Sequence, residues 1–337
     1  MITFDAIEIP DRPAVPGLVF RRFRGESDYA DMVRIANDRA AANGDDWIVT
    51  LEEVRHEYAH LTNCDPATDM LMAEVDGRMV GYWRGRWWDE ADGTTIYSIL
   101  HWLHPASRDI GIGRAALRWM ETRLREIAAG HDPSRPKYFQ GFATQGNRHQ
   151  AGLLEAAGYR PTRHFHQMVR PTLDDIPTFP LPDGLELRPV LPEHYRLIWE
   201  ADVEAFRDHW GFAEPEEADY QRWLTNQTTF QPELWPVAWD AATNEIAGQV
   251  QTFIDHAENE RFGRRRGYTE NISVRRPYRR RGLARALITL SLRAQRGRGM
   301  TESALNVDSE SLTGATRVYE DCGFIIDQTG TLYRKAL

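Results

Sequence analysis

Residues 268–288 read YTENISVRRPYRRRGLARALI. An alternating, strand-like run leads through an arginine-rich turn into an apolar stretch at helical spacing. The turn fits Arg279-x-x-Gly282-x-Ala284. A glycine turn between strand and helix aims successive N–H groups at one point, and the helix N-terminus adds a partial positive charge. Together they suit a pyrophosphate. The pattern recurs as RDIGIG at 108–113, where Arg108, Gly111 and Gly113 take the same places. Two copies in matching contexts predict a duplicated phosphate-binding domain.

The repeat extends well beyond the glycines. GLVFRRF (17–23) resembles GLELRPV (184–190), and each precedes a helical segment. A hairpin follows in each half: DMLMAEVDGRMVGYWRG, with Asp76-Gly77 as turn signal, and PVAWDAATNEIAGQVQTFI. AAGYR (156–160) matches DCGFI (321–325) late in each half. The prolines of PTLDDIPTFPLPDG (171–184) disfavour helix and remove ladder donors, so this stretch reads as an extended linker. The expected division is a first domain at 1–172, a linker at 173–183 and a second domain at 184–337. The expected fold is α/β, each domain a mixed central sheet flanked by helices.

A chain of 337 residues exceeds most single cores, which agrees with two domains. The net charge of −9 argues against bulk binding to nucleic acid or anionic membrane. Lysine occurs only at Lys137 and Lys335, so arginine is the default cation and a motif arginine carries less weight than usual. Cys64 and Cys322 fall in different halves, which is neither a disulfide framework nor a metal cluster, and no metal is expected. The start, MITFDAIEIPDRP, lacks a basic region and an apolar core, so a signal peptide is not expected there. No apolar run is long enough to span a bilayer. A cytoplasmic protein is the expectation, and the sequence carries no signal for an oligomeric state.

The order of strand, Arg-x-x-Gly-x-Gly/Ala turn, long helix, strand, and helix ending in Tyr-x-x-x-Gly-Phe resembles the GNAT acetyltransferase superfamily. Tyr319 and Gly323-Phe324 supply the last element. The resemblance covers nearly the whole chain as two tandem copies, the second the closer match. The tandem arrangement resembles mycothiol synthase and related bacterial acetyltransferases. It implies acetyl-CoA as donor, bound between two splayed central strands, and direct acetyl transfer to an amine.

On that resemblance Arg281, Gly282, Leu283, Ala284 and Arg285 of the second copy would offer successive N–H groups to the CoA pyrophosphate, with Arg279 and Arg280 adding charge-assisted contacts. Period-two alternation predicts Tyr268, Glu270, Ile272 and Val274 on one strand face, which makes Glu270 a carboxylate in an apolar row. Partial burial raises such a group toward the range of a general base. The resemblance implies that role for Glu270; the competing reading is an edge carboxylate held by the arginines of RFGRRRG (261–267). It further implies that the backbone of Ile272, Ser273 and Val274 pairs with the pantetheine arm and polarises the thioester. Tyr319 stands where the family keeps the tyrosine that protonates the CoA thiolate, and Ser311 where members often have Asn. Cys322 reads as a small buried hydrophobe, with no His nearby in sequence to activate it.

Aligning Gly111 on Gly282 places Ile99 at the position of Glu270, His101 at that of Ile272 and Leu154 at that of Tyr319. Asn147 falls near the pantetheine-contact position. The first domain thus keeps the phosphate turn and lacks both proton-handling side chains, so it is expected to be catalytically degenerate. For the acceptor, the helical region 199–223 is acidic and aromatic, which suits a cationic amine. Asp208, His209 and Trp210 form its best local cluster. The leading expectation is N-acetylation of a small-molecule primary amine, with Glu270 as base and Tyr319 as acid. A mycothiol-synthase-like or antibiotic-modifying enzyme is a neighbouring reading. A non-catalytic acyl-CoA-binding protein is the reading from another class, and the pair Glu270 and Tyr319 argues against it.

Overall fold

The computed structural model describes residues 6–311 and 314–337. The chain divides into two compact units. The first reaches Arg163 and is rejoined by Gly330–Leu337; the second is His164–Thr329. Its elements run β1 (Leu18–Arg21), α1 (Tyr29–Asn43), α2 (Leu51–Ala59), β2 (Met70–Val75), β3 (Arg78–Asp89), β4 (Thr95–Leu103), α3 (Ile112–Ala128), β5 (Lys137–Thr144), α4 (Arg148–Ala156) and β6 (Arg160–Arg170). There follow β7 (Leu185–Leu187), α5 (Tyr195–Phe206), α6 (Glu217–Thr225), β8 (Val237–Asp240), β9 (Ile246–Phe253), α7 (His256–Phe262) and β10 (Arg266–Val274). The last are α8 (Leu283–Gly297), β11 (Glu302–Asp308), α9 (Ala315–Asp321) and β12 (Ile325–Ala336).

In the first unit β1 to β4 form antiparallel neighbours, β4 pairs β5 in parallel, and β5 pairs the end of β12 antiparallel. Asp76 and Gly77 both have positive φ, the two-residue turn that the Asp-Gly signal predicts between β2 and β3. In the second unit β7, β8, β9 and β10 are antiparallel neighbours, β10 pairs β11 in parallel, and β11 pairs the end of β6 antiparallel. Each sheet is therefore mixed and helix-flanked, as expected.

The domain limits differ from the expected 1–172 and 184–337. Phe165 to Arg170 of β6 ladder onto β11, and Gly330 to Ala336 of β12 ladder onto β5. Each limit falls inside one continuous strand, β6 or β12, whose two ends pair with different neighbours, and no Gly or Pro cluster marks the handover. The prolines mark a linker but not the limit of the first unit.

Helix α8 shows why the second unit holds its site rigidly. Leu283, Leu287, Ile288 and Leu292 bury one stripe of the helix among Ala247, Val250 and Leu305 of the sheet. Helix α3 repeats this in the first unit with Ile112, Ala116, Met120 and Leu124. No helix among the described residues is long and apolar enough to cross a membrane. None of their His, Cys, Asp and Glu side chains gather in a group of three that suits a metal ion.

Candidate active site

Pairing between β10 and β11 stops at Tyr268 opposite Ala304, and the strands part beyond it. The edge of β10 that faces β11 is left without a ladder partner, which opens a notch. On the other edge the register slips: Glu270 lies opposite Gln251, but Ser273 lies opposite Gln249. One extra residue is thus inserted, a β-bulge with Asn271 at a φ of 45°.

The bulge corrects the predicted face. Thr269 Oγ1 bonds Ser291 and Gln295 of α8, so Tyr268 and Glu270 point away from that helix. After the extra residue, Ile272 and Val274 pack with Leu283 and Leu287 on the α8 side, while Ser273 lies beside Asp202 of α5. Glu270 therefore shares its face with Ser273, not with Ile272 and Val274. An insertion of one residue reverses every later side chain, and period-two counting cannot foresee it.

Glu270 reaches across the notch. Both the backbone N–H and the Nδ2 of Asn306 on β11 donate to its Oε1, each at 2.9 Å. Burial pushes the carboxyl up to about 7, against these two hydrogen bonds, which favour the charged form. The arginines of 261–267 do not hold it: Arg264 engages Glu258, and Arg266 engages Glu302. The edge-carboxylate reading is thereby displaced.

Sequence reasoning did not single out Asp202. It sits mid-helix in α5 with Ile198, Ala201 and Ala205 buried around it. Gln249 Nε2 donates to its Oδ1 at 3.1 Å, and burial pushes this carboxyl, too, up to about 7. Asn306 was likewise missed. Its signal was a polar residue inside the apolar strand ALNVD.

Tyr319 on α9 is buried in the same core as Leu283 and Leu287. Burial raises its phenol above the usual value, and the charge of Glu270 adds to the rise. The hydroxyl thus stays protonated at neutral pH. Gly323, just past the helix, has a φ of 87° and lies against Arg170, whose Nη1 a Cβ would meet at 1.7 Å. Arg170 Nη1 donates to the carbonyl of Cys322 at 2.5 Å, so β6 fixes the end of the helix that carries Tyr319. The Cys322 thiol is fully buried and raised by burial to about 12, a poor nucleophile.

At the second glycine turn, Gly282 caps α8 with a φ of 87°, and nothing lies within 4 Å of where a Cβ would stand. Leu283 anchors the turn in the core, and Ala284 is half-buried behind it. Arg280 itself takes a φ of 62°. The other arginines are partly committed: Arg281 donates to the Asp183 carbonyl at 2.7 Å, and Arg285 engages Asp321. Arg279 is the largest departure from expectation. It donates to the carbonyls of Val274 and Ala205 and to Asp208, and so ties the strand, α5 and the turn together. Arg276 also engages Asp208, and the two guanidiniums hold its carboxyl well below the usual range. Asp208 is therefore a brace and not a free anion for an amine. His209 follows it on the surface, its ring tilted by 51° against Phe206 with centroids 4.4 Å apart, and Trp210 lies in the same turn. Ser311 stands in the loop between β11 and α9, its N–H on the Asp308 carbonyl.

The first unit keeps the turn but not its openness. Gly111 caps α3 with a φ of 88°, yet a Cβ there would lie 3.1 Å from Pro13. Gly113 is buried against Leu103 and Leu153. Arg108 donates to Asn43 at 2.7 Å. Asn147 is buried as the cap of α4: its side-chain oxygen accepts from the Gln150 N–H, and its Nδ2 donates to Gln150 Oε1 at 2.9 Å. That commitment removes it from the pantetheine role. The β3–β4 ladder runs from Asp89 opposite Thr95 to Gly81 opposite Leu103 without a bulge.

Comparison with known proteins gives one family. The model of the acetyltransferase (GNAT) family matches residues 32–132 and 195–324. The mycothiol acetyltransferase of Salinispora arenicola is 31% identical over 311 residues, 88% of this chain and 90% of that protein. The mycothiol acetyltransferase of Streptomyces bingchenggensis is 27% identical over 315 residues, 90% of this chain and 92% of that protein. Among solved structures, a GCN5-related N-acetyltransferase from Sphaerobacter thermophilus superposes with a TM-score of 0.72 at 25% identity, over 98% of this chain and 97% of that one. A tandem GNAT protein from the clavulanic acid biosynthesis pathway gives 0.65 at 16% identity, over 95% and 98%, a likeness of fold.

Proposed function

The chain belongs to the acetyltransferase (GNAT) family, and from that premise we propose that its second unit moves an acetyl group from acetyl-CoA to a primary amine of a small molecule. Acetyl-CoA supplies an activated thioester. The residues that would hold it fit: an open glycine turn at a helix N-terminus for the pyrophosphate, and an unpaired β10 edge at Ile272 to Val274 for the pantetheine arm.

The observation that carries the reading is the carboxylate of Glu270 in the notch, with Tyr319 within its field. A protonated amine gives its proton to Glu270. The neutral nitrogen forms a bond to the acetyl carbon, the carbon–sulfur bond breaks, the Tyr319 hydroxyl protonates the departing thiolate, and the proton that the acylated nitrogen sheds passes through water to the tyrosinate, which leaves a neutral amide and restores the phenol. A backbone N–H at the bulge polarises the thioester oxygen. Asp202, on the same face, adds negative charge that favours a cationic acceptor once the pH passes about 7. In this reading His209 and Trp210 belong to the rim of the acceptor side. The first unit, with Ile99 in place of the base and Leu154 in place of the acid, is a non-catalytic partner domain.

The test is acetylation of a panel of amines at several pH values. With the Glu270 carboxyl at about 7, kcat/KM rises as pH increases through that value. Glu270→Gln lowers kcat by about 10²–10⁴-fold and abolishes that rise. Tyr319→Phe lowers kcat with the rise retained. Equal and zero turnover in all three proteins, with acetyl-CoA still bound, leaves the non-catalytic acyl-CoA binder as the better reading. The similarity along most of the chain to proteins named mycothiol acetyltransferase supports a second reading, an acceptor in mycothiol formation. A glycoside amine bearing a thiol belongs in the panel for that reason.

A further inference from the structure

In the first unit β4 and β5 also part, after Ser98 opposite Gln140. The gap holds a cavity of about 260 Å³, room for about eight or nine water molecules at ~30 Å³ each. Its walls carry Arg39, Trp47, Trp102, His101, Phe142 and Gln150, and no Asp or Glu lines it.

Arg39 is the unexplained residue. Its side chain rises from α1 into the unit, and the residue is 8% exposed. Its guanidinium stacks over Trp102 at 4.0 Å and donates to Gln150 Oε1 at 3.2 Å. Its Nε is buried without a hydrogen-bond partner, and the acid whose charge it feels, buried Asp45, makes no hydrogen bond to it. A buried guanidinium is ordinarily paired, because taking it out of water costs several kcal/mol. His101, 6% exposed, adds a second unsatisfied polar atom, Nδ1, to the same wall, as does Thr144 with its Oγ1. Arg108 and His149 contribute further positive potential at His101. The charged side chain that lines this cavity is thus a cation, with Asp45 the acid behind it, whereas the notch of the second unit is faced by the carboxylates Glu270 and Asp202.

The route by which CoA would enter is altered at several points. Pro13 covers the glycine turn, β4 lacks the bulge, and Asn147 is committed to α4. We propose that the first unit's cavity is a binding site for a small carboxylate with a flat apolar body, the carboxylate held by Arg39 and the body between the aromatic walls. The guanidinium presents a planar fork that matches a carboxylate's two oxygens. Trp47, Trp102 and Phe142 supply the apolar surface for the rest of the molecule. The inference is independent of the reaction assigned to the second unit.

The probe is benzoate, titrated into the full chain by calorimetry at millimolar concentration, with benzamide and benzylamine as the neutral and cationic counterparts. Benzoate binds at one site; benzamide binds about tenfold more weakly or not at all, and benzylamine does not bind there. Arg39→Gln removes the benzoate site, and Arg39→Lys, which keeps the charge but not the fork, weakens it by about tenfold. Saturating acetyl-CoA leaves the benzoate isotherm in place. No heat with benzoate, equal binding of benzamide, or an unchanged isotherm in Arg39→Gln overturns the proposal. Displacement of benzoate by acetyl-CoA also overturns it, and returns the cavity to the CoA arm. If Arg39→Gln does not fold, the comparison of benzoate with benzamide on the unmodified protein still decides.

Discussion

Glu270 was legible because alternation sets a carboxylate in an apolar row, although the bulge takes Ile272 and Val274 off its face; Asp202 was not, because it is one acid among several in residues 199–223. Which of these turns toward the sheet is set by the buried stripe of α5, and Asp202 follows Ile198 and Ala201 inward. Asp208, the residue favoured from sequence, lies beyond the helix end and meets Arg276 and Arg279. A sequence cannot show that two arginines some seventy positions later will neutralise it. The two inward carboxylates also have a cost. Each holds its proton up to about 7 in the folded protein, well above the ordinary carboxylate value. Between those values the folded state binds more protons than the unfolded one, so their contribution falls as pH rises through this window. Glu270→Gln and Asp202→Asn are therefore expected to raise Tm at about pH 8 and to change it little at about pH 5. Thermal melts at both values check this, and a lowered Tm at the higher pH would mean that hydrogen bonds from Asn306 and Gln249 outweigh the burial.

At the scale of elements, both glycine turns were readable, and each does cap its helix with a positive φ. What distinguishes them is not in the motif. Pro13, far away in sequence, stands against Gly111, whereas the space beside Gly282 is open. The β10 bulge was equally hidden, since alternation presumes an unbroken ladder and Asn271 offers only a weak hint of positive φ. These differences predict unlike outcomes from like substitutions. Gly282→Ala and Gly111→Ala each force an alanine into left-handed backbone, at a cost of about 1–2 kcal/mol. Only Gly282→Ala is expected to raise KM for acetyl-CoA as well, by about tenfold, because a distorted turn no longer aims its N–H groups at a pyrophosphate. Steady-state kinetics beside denaturant melts separates the two effects. An equal rise in KM from Gly111→Ala would place a working CoA site in the first unit.

For the whole molecule, the repeat made two domains visible, but the linker led to the wrong cut for anyone wishing to separate them. A fragment ending at residue 172 lacks Gly330–Ala336, the strand that pairs β5. With that strand go Leu332 and Tyr333, both buried, and the partners of two buried acids: Arg334 on Glu90 and Lys335 on Glu121. Glu121 keeps Arg125, but Glu90 is left unpaired, and for a buried carboxylate that typically costs about 3–5 kcal/mol, a large share of the stability of a domain. It also bares the long edge of β5, with Phe142 already exposed, to pairing with other chains. The complementary fragment from residue 184 loses Phe165 to Arg170 beside β11, and with Arg170 the hydrogen bond that fixes the end of α9 next to Tyr319. Neither fragment is expected to melt cooperatively. Removal of 330–337 alone is expected to lower the Tm of the full chain and to raise amide exchange first in β5 and β4. If exchange in β5 stays as slow as in the intact protein, the C-terminal strand is not what completes the first sheet, and the division at Arg163 and Gly330 loses its energetic basis.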